Sequence, residues 1–193
     1  GYNVCAEVSM KEKRIAWAIT GAGHTLSECA DRLLAYPHLD IFLSRAAEEV
    51  VRMYNLAHRL EDSGLRIFRE ARASSPLVGR LFSGTYHVLV IAPATSNSVA
   101  KFVCGISDSL VSNMFAQAGK SQIPVIVFPT DLAPIMDTAT PRGDIIKVFP
   151  RPIDLENTAR LRTMPGVTVV ESVEEIVQCL ATYSSLENLP PNP

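Results

Sequence analysis

Short β-branched and aliphatic runs alternate along the chain with longer segments whose apolar positions recur every three or four residues. Residues 14–20 predict a buried strand, followed by the turn Gly21-Ala22-Gly23. A helix is predicted over 25–36, where Leu26, Cys29, Ala30, Leu33 and Leu34 keep helical spacing and Pro37 ends the run. Residues 40–44 predict a second strand, 46–60 a second helix stopped at Asp62-Ser63-Gly64, and 65–70 a short third strand. Between 74 and 86 the pattern is weak, with a short helix expected over 77–82. The run His87-Val88-Leu89-Val90-Ile91-Ala92 is apolar throughout, as a central parallel strand covered on both faces must be. Two tandem helices follow, over 96–105 and 107–119, then a strand over 123–128. A loop rich in Pro, Asp and Thr is expected over 129–143, a strand over 144–149 and a helix over 154–163. A strand over 167–170 and a helix over 173–183 complete the pattern, and residues 1–12 and 186–193 are expected to be flexible tails.

This alternation predicts a single doubly wound α/β domain over 1–193, Rossmann-like or flavodoxin-like, with helices on both faces of a mostly parallel sheet. No internal repeat or low-complexity linker divides it. Ligands of such sheets bind beyond the carboxyl ends of the strands, where strand order reverses. The residues just after each strand are therefore the candidates for chemistry.

Composition narrows the classes. A hydrophobic share of 47% and a charged share of 20% over 193 residues fit a soluble globular protein with a large core. No apolar run approaches the ~20 residues that span a bilayer, so no membrane partner is expected. A net charge of −2 gives no overall field for nucleic acid. Cys5, Cys29, Cys104 and Cys179 are far apart and form no CxxC pair, which leaves no metal-site spacing. Cys29, Cys104 and Cys179 fall in helical apolar patterns and are expected as buried free thiols, consistent with a reducing, cytoplasmic compartment.

After the first strand, Thr20-Gly21-Ala22-Gly23-His24-Thr25 leads into a helix. Two glycines allow close approach of an anion to the backbone and the helix start, but a simple tight turn has the same sequence. As a dinucleotide fingerprint it is incomplete: Leu26 stands where a third glycine belongs, and Ser44-Arg45 where a ribose-binding acid belongs. A ligand with one phosphate fits better. Ser44 and Arg45 suit either phosphate binding or an ordinary helix cap beside a solvated Arg. After the central strand, Pro93-Ala94-Thr95-Ser96-Asn97-Ser98 offers small, hydroxylic and carboxamide groups at a helix start, with room for a planar ring. The break at Asp108-Ser109-Leu110 and the rim residues Thr130 and Asp131 add further polar groups, with helix capping as the alternative for the former. His24 is the one histidine at an expected site, as a polar turn residue or as an acid–base group.

Thr20-Gly21-Ala22-Gly23-His24, Phe42-Leu43-Ser44-Arg45-Ala46, Ala92-Pro93-Ala94-Thr95-Ser96-Asn97-Ser98-Val99-Ala100-Lys101 and the stretch from Gly105 to Asn113 resemble the flavoprotein superfamily of homo-oligomeric flavin-containing cysteine decarboxylases. Within it the chain looks most similar to flavin-dependent dihydromethanopterin reductases. The resemblance covers the chain from first strand to last helix. It implies FMN, with phosphate near Gly21, Gly23 and Ser44 and the ring near Ala94 to Asn97. It also places Asp108, Ser109 and Leu110 close to the flavin and Thr130 and Asp131 in a loop that closes over it.

Two departures bear on activity. The decarboxylases carry a catalytic histidine where this chain reads Ser74-Ser75-Pro76-Leu77-Val78-Gly79, and a Pro-x-Met-Asn motif where it reads Pro129-Thr130-Asp131-Leu132. The resemblance therefore implies an oxidoreductase in one-carbon metabolism: reduced FMN passes a hydride to dihydromethanopterin, giving tetrahydromethanopterin. His24 and Asp131 are the candidate catalytic groups. Some archaeal reductases carry a C-terminal cysteine cluster that this sequence lacks, which implies an external donor such as reduced flavin or a flavin reductase. Relatives assemble from trimers, so a homo-oligomer is expected. An FMN electron-transfer or flavin-holding protein, and a decarboxylase or flavin prenyltransferase relative, are the alternatives.

Overall fold

Six parallel strands make up the sheet, and their order creates one place where the connections leaving neighbouring strands run to opposite faces. The computed structural model describes residues 13–70, 79 and 83–186. In chain order the elements are β1 (Arg14–Ile19), α1 (Leu26–Leu33), β2 (Leu39–Leu43), α2 (Arg45–Met53), α3 (Ala57–Glu61), β3 (Arg66–Arg69) and β4 (Tyr86–Ala94). Next come α4 (Ser96–Cys104), α5 (Leu110–Lys120), β5 (Val125–Pro129), β6 (Met136–Ala139) and β7 (Ile145–Val148). The last elements are α6 (Pro152–Leu161), β8 (Val167–Val169) and α7 (Val173–Leu186). The main sheet runs β3-β2-β1-β4-β5-β8, every pairing parallel. The chain steps outward from β1 to β3, then returns to the other side of β1 as β4. The crevice at the carboxyl ends of β1 and β4 is therefore the switch point.

Two cores cover the two faces. One packs Cys29, Ala30 and Leu33 of α1, Ala47 and Val51 of α2 and Ile176 and Leu180 of α7 against Trp17, Ile41 and Val90. The other packs Val99 and Phe102 of α4, Leu110, Met114 and Phe115 of α5 and Leu161 of α6 against Phe42, Leu89 and Ile91. β1, β2 and β4 are buried on both sides, which is why their sequences are unbroken apolar runs. At the amino end of the sheet, wholly buried Asp40 accepts hydrogen bonds from Arg14 (2.7 Å), Arg66 (2.8 Å) and the Tyr86 hydroxyl (2.6 Å). Burial pushes the Asp40 carboxyl up, but the bonds from Arg14, Arg66 and Tyr86 outweigh it and hold the group below the ordinary carboxylate range.

Several expectations change. The helix read over 46–60 is two helices, α2 and α3, because Asn55 takes the left-handed conformation (φ 58°) that asparagine tolerates better than most residues. The segment 144–149 does form a strand, but β7 pairs antiparallel with β6, inside the stretch read as loop, as a separate hairpin. Its residues are largely exposed, so no buried apolar run marked β6 or the pairing. Leu110, not residue 107, opens the second tandem helix: Gly105 ends α4 in the left-handed region (φ 71°) and Ser109 caps α5. Cys104 is exposed and Cys179 half-buried; of the three described cysteines only Cys29 is a buried thiol, pushed up to about 12 mainly by burial. The last helix continues to Leu186, a residue expected in the tail. The short helix expected over 77–82, apart from residue 79, the segment 74–78, Cys5 and the tails 1–12 and 187–193 lie outside the described residues. No helix among the described residues is long and apolar enough to cross a membrane.

Candidate functional site

Thr20, the first polar residue after β1, closes the floor of the switch-point crevice. Its hydroxyl donates to the Pro93 carbonyl (2.8 Å) and accepts from the Thr95 amide (2.9 Å). Pro93 and Ala94 end β4 and are buried; the Ala94 carbonyl accepts from the Thr130 amide at 3.0 Å. These two residues thus hold three strand ends together, while Thr95, Ser96 and Asn97 begin α4. Thr95 caps that helix, accepting from the Ser98 amide at 3.1 Å, and Asn97 is exposed.

Packing explains both glycines of the turn. A Cβ on Gly21 would collide with the Ala46 side chain, and one on Gly23 with the ring of Tyr54. Each glycine therefore makes room for α2 and its C-cap, whatever it also offers a ligand. Tyr54 continues outward, its hydroxyl donating to the Ala139 carbonyl (2.9 Å). Beside it, His24 Nδ1 lies 2.9 Å from the Thr138 hydroxyl. The β6–β7 hairpin is thereby fastened beside the glycine turn by two side chains, one from the β1–α1 turn and one from the end of α2. Ala22 is buried and His24 half-buried.

On the other flank, Ser44 caps α2 through the Ala47 amide (3.0 Å), and the Arg45 side chain is exposed. Ser109 caps α5 in a reciprocal box with Ser112. The two helix starts meet at Glu70, whose carboxylate accepts from the Arg45 amide (2.7 Å) and the Leu110 amide (2.9 Å). The Leu110 side chain points into the core. Asp108 is exposed and paired with Lys101 at 2.8 Å, a hydrogen bond that lowers its carboxyl below the ordinary range.

At the β5 end, the Ser96 hydroxyl donates to the Asp131 carboxylate. Arg151, whose guanidinium grips Asp154 (2.8 Å), adds positive charge near Asp131. The helix starts at Ser44 and Thr95 follow parallel strands, and Glu70 ties the start at Ser109 to the same edge. The edge thus carries short hydroxyls and amide-rich helix ends, while its acids Glu70 and Asp131 are already engaged. Such a donor set fits a ligand with a single phosphate and a planar hydrogen-bonding ring. The structure gathers the expected residues into two groups: Gly21 to His24 with Pro93 to Asn97, Thr130 and Asp131, and Ser44-Arg45 with Ser109-Leu110. Thr20, Tyr54, Glu70 and Thr138 were missed. Only Thr20 left a signal, as the polar residue ending an apolar run.

A family model described as Flavoprotein matches residues 4–189. The chain belongs to the flavoprotein family. The resemblance read from the post-strand motifs is thus borne out. This flavoprotein is 38% identical over 177 residues to an uncharacterised protein of Methanocaldococcus jannaschii, covering 88% of the chain and 95% of the relative. It is 41% identical over 169 residues to a dihydromethanopterin reductase (acceptor) of Methanosarcina mazei, covering 81% of the chain and 67% of that enzyme. Among solved structures it is similar to DmrB of Burkholderia xenovorans in complex with FMN, described as a cubic protein cage for redox transfer: TM-score 0.84, 42% identity, 93% of this chain and 99% of that one. A phenylacrylic acid decarboxylase from Aquifex aeolicus shares the fold at 20% identity (TM-score 0.58, 94% and 99% covered).

Proposed function

We propose that this flavoprotein is an FMN-dependent oxidoreductase that reduces dihydromethanopterin to tetrahydromethanopterin, using electrons delivered by a separate reduced flavin or flavin reductase. The observation that carries this is the hydroxyl- and amide-rich edge at the β1–β4 switch point, in a chain 42% identical to a protein solved with FMN. The 41% and 42% identities to dihydromethanopterin reductases support the pterin as acceptor. Bound and reduced FMN supplies the hydride in this reaction.

The chain's own residues bind and orient. The helix start behind Gly21–Gly23 and the side chains of Ser44 and Arg45 are assigned to the phosphate, and Ala94 to Asn97 with Thr130 to the ring. Asp131, held by Ser96, is assigned to proton delivery at the pterin nitrogen. His24, with Nδ1 engaged by Thr138, offers Nε2 to the ligand. Asp108 and Ser109 line the outer rim.

Copies of the chain are proposed to assemble into trimers and larger cages. Exposed apolar residues concentrate along the β6–β7 hairpin and the segment between it and α6, with Ile145 and Phe149 each 68% exposed. Surfaces of that kind on soluble proteins mark contact sites. The absorption spectrum of the purified protein, with the mass of the released cofactor, tests the flavin assignment. A flavin spectrum and the mass of FMN support it; a colourless protein that takes up no added FMN overturns it.

A further inference from the structure

Glu70 follows β3 at the edge of the sheet, and both of its carboxylate oxygens are used. Oε2 accepts from the amide of Arg45, the first residue of α2, and Oε1 from the amide of Leu110, the first residue of α5. The serine caps of these helices serve later amides, those of Ala47 and Ser112, so Glu70 does not duplicate them. The two helices belong to opposite faces: Ala47 and Val51 of α2 pack in one core, Leu110 and Met114 of α5 in the other. A single carboxylate therefore straddles the carboxyl edge and fixes the spacing between the two helix starts. Amide-to-carboxylate bonds at helix N-termini are among the stronger hydrogen bonds, because charge and helix dipole act together.

We infer that Glu70 is a positioning residue for the flavin: it sets the separation between Ser44-Arg45, proposed above for the phosphate, and Asp108-Ser109-Leu110 at the outer rim of the proposed site. This role rests on the flavin assignment above. It follows from the placement that losing one of the two bonds loosens both rims at once, although the Glu70 side chain itself is assigned no contact with the ligand.

The experiment is an FMN titration of flavin-free wild type and Glu70→Gln, followed by fluorescence quenching, with a thermal melt of each flavin-free protein. A carboxamide oxygen serves one amide while its NH2 repels the other. Glu70→Gln should weaken FMN binding about tenfold, the equivalent of one charge-assisted bond, with the flavin-free melting temperature lowered by no more than about 4 °C. Affinity within about threefold of wild type overturns the inference, and so does a large loss of melting temperature with affinity unchanged. A second pair removes a donor instead of the acceptor. Proline is favoured at a first helical position, and Ser44 already has the extended conformation (φ −63°, ψ 163°) that a following proline requires. Arg45→Pro should bind FMN about tenfold more weakly than Arg45→Ala; equal affinities overturn the inference. Should Glu70→Gln fail to fold, this pair decides alone. If wild type takes up no FMN, the flavin assignment fails first and the role of Glu70 with it. If wild type binds and the variants match their controls, only the role of Glu70 fails.

Discussion

The Thr20 hydroxyl donates to the Pro93 carbonyl 2.8 Å away, across the switch point between β1 and β4. The same oxygen accepts from the Thr95 amide, so one buried side chain joins the end of β1 to both the end of β4 and the start of α4. Thr20→Val keeps the shape and removes both contacts, leaving a buried carbonyl and a helix-start amide without this partner. It should cost about 1–3 kcal/mol in urea unfolding. FMN affinity should fall with it, because the loop after β4 is the proposed seat of the ring. Unchanged stability and affinity would show that the clasp is dispensable.

Gly23 lies under the ring of Tyr54. Gly23→Ala should destabilise by about 1–3 kcal/mol through overpacking, as Tyr54 is pushed off and its bond to Ala139 is lost. In a Tyr54→Ala background the same change should cost much less. A double-mutant cycle checks this, with a coupling above about 1 kcal/mol expected. Additive effects would mean that Gly23 is required for a reason other than Tyr54.

Asp40 predicts how stability depends on acid. Its carboxyl is held below its unfolded value, so its contribution is fully present above about pH 4, the unfolded range, and disappears as pH falls through the folded value. Asp40→Ala leaves Arg14, Arg66 and Tyr86 without their shared acceptor and should cost about 3–5 kcal/mol at pH 7. The gap between wild type and variant should narrow as pH falls below 4. A gap that is constant from pH 7 to pH 3 would contradict the assignment.

Asp131 is the group assigned to proton delivery. Asp131→Asn should lower pterin turnover on the order of 100-fold or more while leaving FMN affinity within about threefold. Steady-state kinetics beside an FMN titration separate the two. Loss of both together would make Asp131 a flavin-binding residue instead.

The fold was legible where burial is two-sided. Val88 to Ala92 and Ile15 to Ile19 are apolar because both faces are covered, whereas Leu26, Cys29, Ala30 and Leu33 form a helical stripe because one face of α1 packs on the sheet. β7 was legible as a strand over 144–149, but β6 and its antiparallel pairing were not, since these strands bury too little to impose alternation. Asn55 broke a helix whose apolar pattern ran straight through it, because Val51, Leu56 and Leu60 are buried on both sides of the break. At the site, the segment Pro93 to Asn97 was readable as short polar groups following a buried strand. Glu70, Tyr54 and Thr138 were not: each acts across a tertiary contact, 40, 85 and 114 residues from its partner, with no local pattern to announce it.

The most direct test is anaerobic. Purified protein carrying reduced FMN is mixed with dihydromethanopterin, and flavin absorbance is followed while the pterin product is identified by mass. Oxidation of the flavin with one equivalent of tetrahydromethanopterin formed per FMN is the predicted result. Flavin that stays reduced in the presence of the pterin, yet is oxidised by a redox protein partner, would contradict the reductase assignment and point to electron transfer instead.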